Sequence, residues 1–262
     1  MNEQPVLYTV AAGVAEICFN RPAARNALDI PTADALLAAI VDIRSRDDVR
    51  VVVLKGAGGA FVAGGDLAAM RDAGDEVSEM ATRLVGTMHE AMLGLAACPA
   101  PVIASLSGPV AGAGMSLALA ADLVIAADNT VFNMAYVNVA NNSDCGASWY
   151  LTRVVGLHKA MEIMMLSDVI NAQQARDYGI VNKLVPVDDL AAETAAMAAR
   201  LIAKAPLALA NIKKLLLQST TLDLATQLDA EQEHFVTLTR SEDFKEALAA
   251  FFAKRKPEFR GR

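Results

Sequence analysis

The stretch Gly108-Pro109-Val110-Ala111-Gly112-Ala113-Gly114-Met115-Ser116-Leu117-Ala118-Leu119-Ala120-Ala121-Asp122 decides the fold. It opens on a turn, passes a glycine-rich loop, and continues as a run of small and apolar residues that reads as a helix. Val110 to Ala127 is also the most membrane-like part of the chain, yet Gly112, Gly114 and Ser116 lie within it and Asp122 interrupts it. A spanning helix wants about 20 uninterrupted apolar residues, so the stretch reads as core. Val102-Ile103-Ala104 before it and Leu123-Val124-Ile125 after it are short apolar runs with β-branched residues, which predicts buried strands on both sides.

The same rhythm extends outward. Val51-Val52-Val53-Leu54 is another buried strand, followed by the glycine-rich loop Gly56 to Gly65 and a helical region over Val77 to Leu95 that Ala100-Pro101 ends. Apolar residues at Ala35, Leu36, Ala39, Ile40 and Ile43 give Pro31 to Ile43 a helical period. Val6 to Val10 and Ala15 to Phe19 flank the turn Ala11-Ala12-Gly13 and predict a hairpin. Downstream of Ser148 the chain reads as helical, with only Ile180 to Val185 strand-like. Strand–loop–helix units and a helical tail, without a linker or charge block between them, make an α/β fold.

Composition narrows the classes further. With 262 residues, 54% hydrophobic and 20% charged, and a mean hydropathy of +0.33, the chain shows the reverse of a disordered composition. Cys18, Cys98 and Cys145 are an odd three in a long chain, which excludes a disulfide scaffold and suits a reducing compartment. The net charge of −7 offers no positive field for nucleic acid. Met1-Asn2-Glu3-Gln4-Pro5 lacks a basic region followed by an apolar run, so no secretory signal is expected. The expectation is a soluble, cytoplasmic protein that does not partner membranes or nucleic acid.

Common cofactor motifs are missing. No P-loop occurs, and Gly112-Ala113-Gly114 is too short for a dinucleotide fingerprint. His89, His158 and His234 have no metal spacing, so no metal is expected, and no G-x-S-x-G elbow marks a hydrolase. Two glycine-rich turns remain: Phe61 to Leu67, and Gly108 to Ser116. Each follows a buried strand. Converging backbone N–H groups at such turns form an oxyanion hole, which serves chemistry in which a carbonyl oxygen gains charge. The alternative is a pair of ordinary strand-to-helix turns.

Asn20-Arg21-Pro22-Ala23-Ala24-Arg25-Asn26-Ala27-Leu28, the Ala63-Gly64-Gly65-Asp66 turn, the Gly108–Asp122 segment and the tail from Glu242-Asp243-Phe244 to Lys256-Pro257 together resemble the crotonase (enoyl-CoA hydratase/isomerase) superfamily. The resemblance covers nearly the whole chain in the right order. It implies an α/β spiral of strand–strand–helix repeats over residues 1–190, a helical oligomerisation region over 191–262, and a homotrimer or a dimer of trimers. It also implies acyl-CoA thioester substrates, with coenzyme A as part of the substrate and no separate cofactor. The oxyanion N–H groups fall on Gly65 and Ala113. The CoA-binding segments fall on Arg25 and Ala27 and on Ala63, Gly64, Asp66 and Leu67, and Lys254 matches a tail lysine that reaches a neighbouring subunit's CoA.

The departures carry the functional reading. Hydratases of the family place glutamates at the positions of Ser116 and Tyr136, and both carboxylates are absent here. Adding water needs one group to activate it and another to handle the α-proton, and neither Ser nor Tyr does this readily near pH 7. Asp144 matches the single catalytic aspartate of related isomerases, and one carboxylate is enough to move a proton between two carbons. The bland reading of Asp144 is a helix N-cap. The region also resembles 4-chlorobenzoyl-CoA dehalogenases, with Asp144 as nucleophile, His89 as base and Tyr136 in place of an aroyl-contacting indole. Further alternatives are a hydratase and a non-catalytic CoA-thioester binding protein. Trp149 and Tyr150 read as core, Met161, Met164 and Met165 as an inward helical stripe, and Lys213-Lys214 as a solvated face.

Overall fold

The computed structural model describes residues 4–262. Met1, Asn2 and Glu3, part of the stretch read for a signal, lie outside the described residues. The strands are β1 (Val6–Ala11), β2 (Val14–Phe19), β3 (Val51–Gly56), β4 (Val102–Leu106), β5 (Pro109–Ala111), β6 (Leu123–Ala127), β7 (Val131–Asn133), β8 (Ile170–Asn171) and β9 (Lys183–Val185). The helices are α1 (Ile30–Arg44), α2 (Leu67–Asp72), α3 (Val77–Ala96), α4 (Ala113–Leu119), α5 (Ala147–Val155), α6 (Leu157–Leu166), α7 (Ala172–Asp177), α8 (Leu190–Ile202), α9 (Pro206–Gln218), α10 (Leu224–Leu238) and α11 (Glu242–Phe252).

The large sheet has the order β1-β2-β3-β4-β6-β9. β1 and β2 form the expected antiparallel hairpin, with Ala12 and Gly13 at its turn both in the left-handed region (φ 51 and 80), the conformation that two-residue hairpin loops require. Every other pair in this sheet is parallel. Parallel strands need both faces covered, which explains why β3 reads as a continuous apolar run rather than an alternating one. Val52 and Leu54 enter the main core with Ile17, Phe19 and Ala104. Val51 and Val53 face the other way, with Ile103, Ile125 and Val185, beneath Ala198 of α8.

A second layer runs beside the first. β5 pairs with β7 in parallel and β7 with β8 antiparallel, and the isolated bridges Val62↔Val110 and Leu28↔Gly65 extend this layer to the earlier turns. Each turn of chain therefore adds a strand to the large sheet, a short strand to the small layer, and then a helix. The recurring strand–strand–helix unit is the spiral expected from the sequence. Gly114 makes one of the tightest fits in it, because a Cβ there would lie 2.0 Å from the Val62 carbonyl oxygen. All seven residues of α4 are buried, so the membrane-like run is indeed core.

Some local expectations differ. Only Lys183–Val185 of the Ile180–Val185 segment is strand; Ile180 and Val181 are buried side chains of the main core instead. Lys213 is not on a solvated face: it is largely buried, pairs with Asp122 at 2.8 Å and donates to the Leu95 carbonyl at 3.1 Å. Asp122 also accepts from the Val102 amide at 2.8 Å, which fixes its carboxylate beside Lys213. Met161 and Met165 are exposed although their helical spacing is correct, and of the three methionines only Met164 packs against the core.

Candidate active site

The site starts at a clamp between two loops. Arg25 and Asn26 both adopt left-handed backbone (φ 50 and 59), tolerable at Asn26 because its short amide bonds locally. Asn26 is buried, accepts from the Arg21 amide at 2.8 Å, and donates to the Ala57 and Ala60 carbonyls at 2.9 and 2.8 Å. Arg21 in turn donates to the Ala27 carbonyl at 2.5 Å and to Asp66 at 2.8 Å, with Asp29 at 3.2 Å. Asp66 caps α2 by accepting from the Ala68 and Ala69 amides, each at 3.1 Å. Burial alone would raise its carboxyl, but the Ala69 and Ala68 amides and the Arg21 guanidinium outweigh burial and hold it below the usual range. Backbone bonds from Ala63 to Arg25, Leu28 to Gly64 and Asp66 to Leu28 close the two segments together.

The two glycine turns then meet. Gly64 (φ 98) lies against the Ala111 carbonyl and the Gly112 backbone, and a Cβ on Gly112 (φ 49) would come within 3.5 Å of the Gly64 Cα. The Ala111 amide donates to Val62 at 3.0 Å and the Gly112 amide to Asn133 at 2.9 Å. Each touching glycine is followed by a residue singled out in the sequence, Gly65 and Ala113. Neither amide donates to any acceptor among the described residues. Two free N–H groups on abutting loops can receive one carbonyl oxygen.

Beside them runs a chain of hydroxyls. Ser116, fully buried, donates to the Gly112 carbonyl at 3.3 Å and lies 3.1 Å from the Tyr136 hydroxyl, which donates to Asp144 Oδ1 at 2.5 Å. Burial, then the charge and hydrogen bond of Asp144, push the Tyr136 phenol far above its ordinary range, so it stays protonated. Asp144 is not the cap of α5. The cap position is Gly146, without a side-chain bond, and Asp144 offers that turn only its backbone carbonyl while its carboxylate faces Tyr136. Burial and the Asp144 charge likewise raise the Cys145 thiol, which makes it a poor nucleophile.

The remaining sequence candidates lie apart from this chain. His89 is exposed on α3 and makes no hydrogen bond to Ser116, Tyr136 or Asp144 among the described residues; with Met92, Leu93, Cys145 and Trp149 it lines an apolar cavity of about 520 Å³. Trp149 is a correction, since it is 37% exposed and walls this cavity, its ring T-shaped against Tyr150 at 4.7 Å and Arg153 3.8 Å above it. Arg25 and Leu67 are exposed at the rim, Ala27 and Ala63 half-buried. Lys254 is exposed beyond α11 with φ 53 and has no ion pair among the described residues. No three His, Cys, Asp or Glu side chains among the described residues are grouped to hold a metal. Sequence reasoning missed Arg21 and Asp29 as the clamp, although Asp29 before Ile30-Pro31 is a helix-start signal.

Comparison with known proteins identifies the family. The profile of the enoyl-CoA hydratase/isomerase family matches residues 9–262. The trans-2-decenoyl-[acyl-carrier-protein] isomerase of Streptococcus mutans is 35% identical over the full length of both chains. The 1,2-epoxyphenylacetyl-CoA isomerase of Escherichia coli is 34% identical over 98% of each. The crystal structure of an enoyl-CoA hydratase from Polaromonas sp. JS666 superposes with a TM-score of 0.93 at 36% identity, covering 97% of this chain and 99% of that one. The chain belongs to the enoyl-CoA hydratase/isomerase family and has its crotonase fold.

Proposed function

We propose that this protein is an isomerase of acyl-CoA thioesters that moves a double bond by proton transfer through a thioester enolate. The observation that carries the reading is the carboxylate of Asp144, brought to the abutting glycine turns by Tyr136 and Ser116, the residues at the two hydratase glutamate positions. The Gly65 and Ala113 amides receive the thioester oxygen. Asp144 takes a proton from one carbon next to the alkene system, the C–H electron pair moves into the conjugated enolate, and the same proton returns to the far carbon. One carboxylate balances this reaction; it consumes no water, electrons or further cofactor. A donor of the oxyanion-hole type is worth about 10²–10³ in turnover. Two of the relatives named above are isomerases, which agrees with this chemistry.

The carrier part of the substrate follows the zipped loops, with Arg25 and Ala27 on one side and Ala63, Gly64, Asp66 and Leu67 on the other. The Asp66 side chain serves there by holding the loop, since its oxygens are occupied by Arg21 and the α2 amides. Lys254 reaches the CoA of a neighbouring subunit in a trimer or dimer of trimers, and the protein works in the cytoplasm. The test is Asp144→Asn, nearly isosteric but unable to accept the proton. The variant should bind acyl-CoA as the wild type does, yet neither isomerise a 3-enoyl-CoA nor exchange its α-proton with deuterated water. Isomerisation at the wild-type rate would remove Asp144 from the mechanism. Oxygen from labelled water entering a 4-chlorobenzoyl-CoA product through Asp144 would instead support the dehalogenase reading.

A further inference from the structure

A shuttle carboxylate has two oxygens, and they are not equivalent here. Tyr136 has a single hydroxyl proton and Asp144, when ionised, only accepts. The 2.5 Å contact therefore runs from Tyr136 to Oδ1. Ser116 has one proton as well, shared between the Gly112 carbonyl at 3.3 Å and the Tyr136 oxygen at 3.1 Å. Every proton in the row points toward the carboxylate or back to the Gly112 turn. Gly112 is the residue before Ala113, so the row ties the base to the loop that presents an oxyanion donor.

The loop that carries Tyr136 is itself pinned. The Asn133 carbonyl accepts from the Gly112 amide at 2.9 Å, and its side chain accepts from the Ala135 amide at 2.6 Å and donates to the Ser167 carbonyl at 2.6 Å. Asn138 adds a bond to the Ser167 hydroxyl at 3.0 Å. A hydroxyl fixed on both sides can hold a partner's orientation rather than follow it.

From this geometry we propose that Tyr136, backed by Ser116, is a positioning residue that occupies Oδ1 of Asp144 and leaves Oδ2 as the oxygen that carries the substrate proton. The C–H bond at the first carbon breaks as the Oδ2–H bond forms. With Oδ1 held by Tyr136, the carboxyl group cannot turn about its Cβ–Cγ bond, so Oδ2–H stays toward the substrate and delivers its proton to the second carbon before it exchanges with water. Intramolecular transfer is then a property of Tyr136, separate from the presence of the base.

The inference rests on the isomerase reading, and the experiment separates the two. The probe is a 3-enoyl-CoA with two deuteriums at C2, turned over in ordinary water, with deuterium at C4 of the product measured by mass spectrometry. Wild type should carry deuterium from C2 to C4. Tyr136→Phe should lose turnover by about tenfold to a hundredfold, the worth of a hydrogen bond to a charged group, with KM little changed. The deuterium at C4 should fall toward the solvent level, because the freed carboxyl exchanges its proton. Ser116→Ala should shift the transferred fraction the same way and less far, and it decides the matter if Tyr136→Phe does not fold. An unchanged transferred fraction in the folded variants, with or without a slower rate, overturns the positioning role while Asp144→Asn remains inert. A wild type that isomerises nothing, or an active Asp144→Asn, overturns the isomerase reading and this inference with it.

Discussion

At Gly65 the functional atom is a backbone amide, so the informative substitution removes that N–H. Gly65 lies outside the left-handed region, and a Cβ there meets only the end of the Met70 side chain at 3.1 Å, whereas its neighbour Gly64 has φ 98 against the Ala111 carbonyl. Gly65→Pro should therefore lower turnover by about 10²–10³ with acyl-CoA affinity near wild type, and Gly65→Ala, which keeps the amide, should stay close to wild type. Steady-state kinetics beside a direct binding titration check this. Asp66 is the residue to test for stability. Asp66→Asn should cost about 1–3 kcal/mol at pH 7, because the Arg21 guanidinium and the α2 amides lose a buried charged acceptor. Its folded carboxyl lies below the ordinary value near 3.9, so the contribution is complete above that value and is lost as pH falls through the folded one. Urea denaturation should show the gap between wild type and variant constant from neutral to mildly acidic pH and narrowing below about pH 4.

Two glycines on helices make opposite predictions for the elements that carry them. Gly114 lets α4 touch the turn at Val62, and the 2.0 Å approach of a Cβ to a backbone oxygen leaves no flexible neighbour to yield. Gly114→Ala should destabilise by about 1–3 kcal/mol or more and shift the Ala113 amide, so thermal stability and turnover fall together. Gly86, on the exposed face of α3 with nothing within 4 Å of a Cβ, should show the reverse, with Gly86→Ala stabilising by about 0.5–1 kcal/mol through helix propensity. Differential scanning calorimetry reads both. The elements themselves were legible where a period repeats long enough. α1 followed from helical spacing, α3 as a helical region that Ala100-Pro101 closes, and β3, β4 and β6 from apolar runs that the sheet buries on both faces. The two-residue β8 and the shortened β9 were not, because so short a pairing is set by what lies opposite. The site divides in the same way. The glycine turns and Asp144 could be picked from the chain, but the row runs from Ser116 on α4 to Tyr136 and Asp144 in the segment between β7 and α5, and only packing brings these groups together. The burial of Lys213 was hidden for the same reason, since its partner Asp122 lies far away in sequence.

On the scale of the whole molecule, the helical tail has more apolar surface than one chain covers. α8 lies on the second face of the large sheet, but α9, α10 and α11 leave Leu216 66%, Phe235 68%, Phe251 76% and Phe252 80% exposed. Three of the eight phenylalanines thus lie on the surface of one short stretch of chain. Scattered single apolar residues need no explanation, but Phe251 and Phe252 pack edge to face at 5.5 Å while both stay exposed, and exposed apolar surface of this kind is where an interface is expected. With the family's assembly as the expectation, the prediction is that the protein sediments at three or six times the 27.6 kDa chain at micromolar concentration. Because Leu216 and Phe235 are exposed on the single chain, Leu216→Glu combined with Phe235→Glu should leave the far-ultraviolet circular dichroism unchanged while placing charge on the expected interface. Sedimentation should then report the mass of one chain, and Lys254→Ala, which should weaken CoA binding in the assembled wild type, should have no further effect in the dissociated double variant. Unchanged mass in the double variant would assign the interface to another surface. A monomeric wild type would refute the assembly and leave Lys254 outside any neighbour's site.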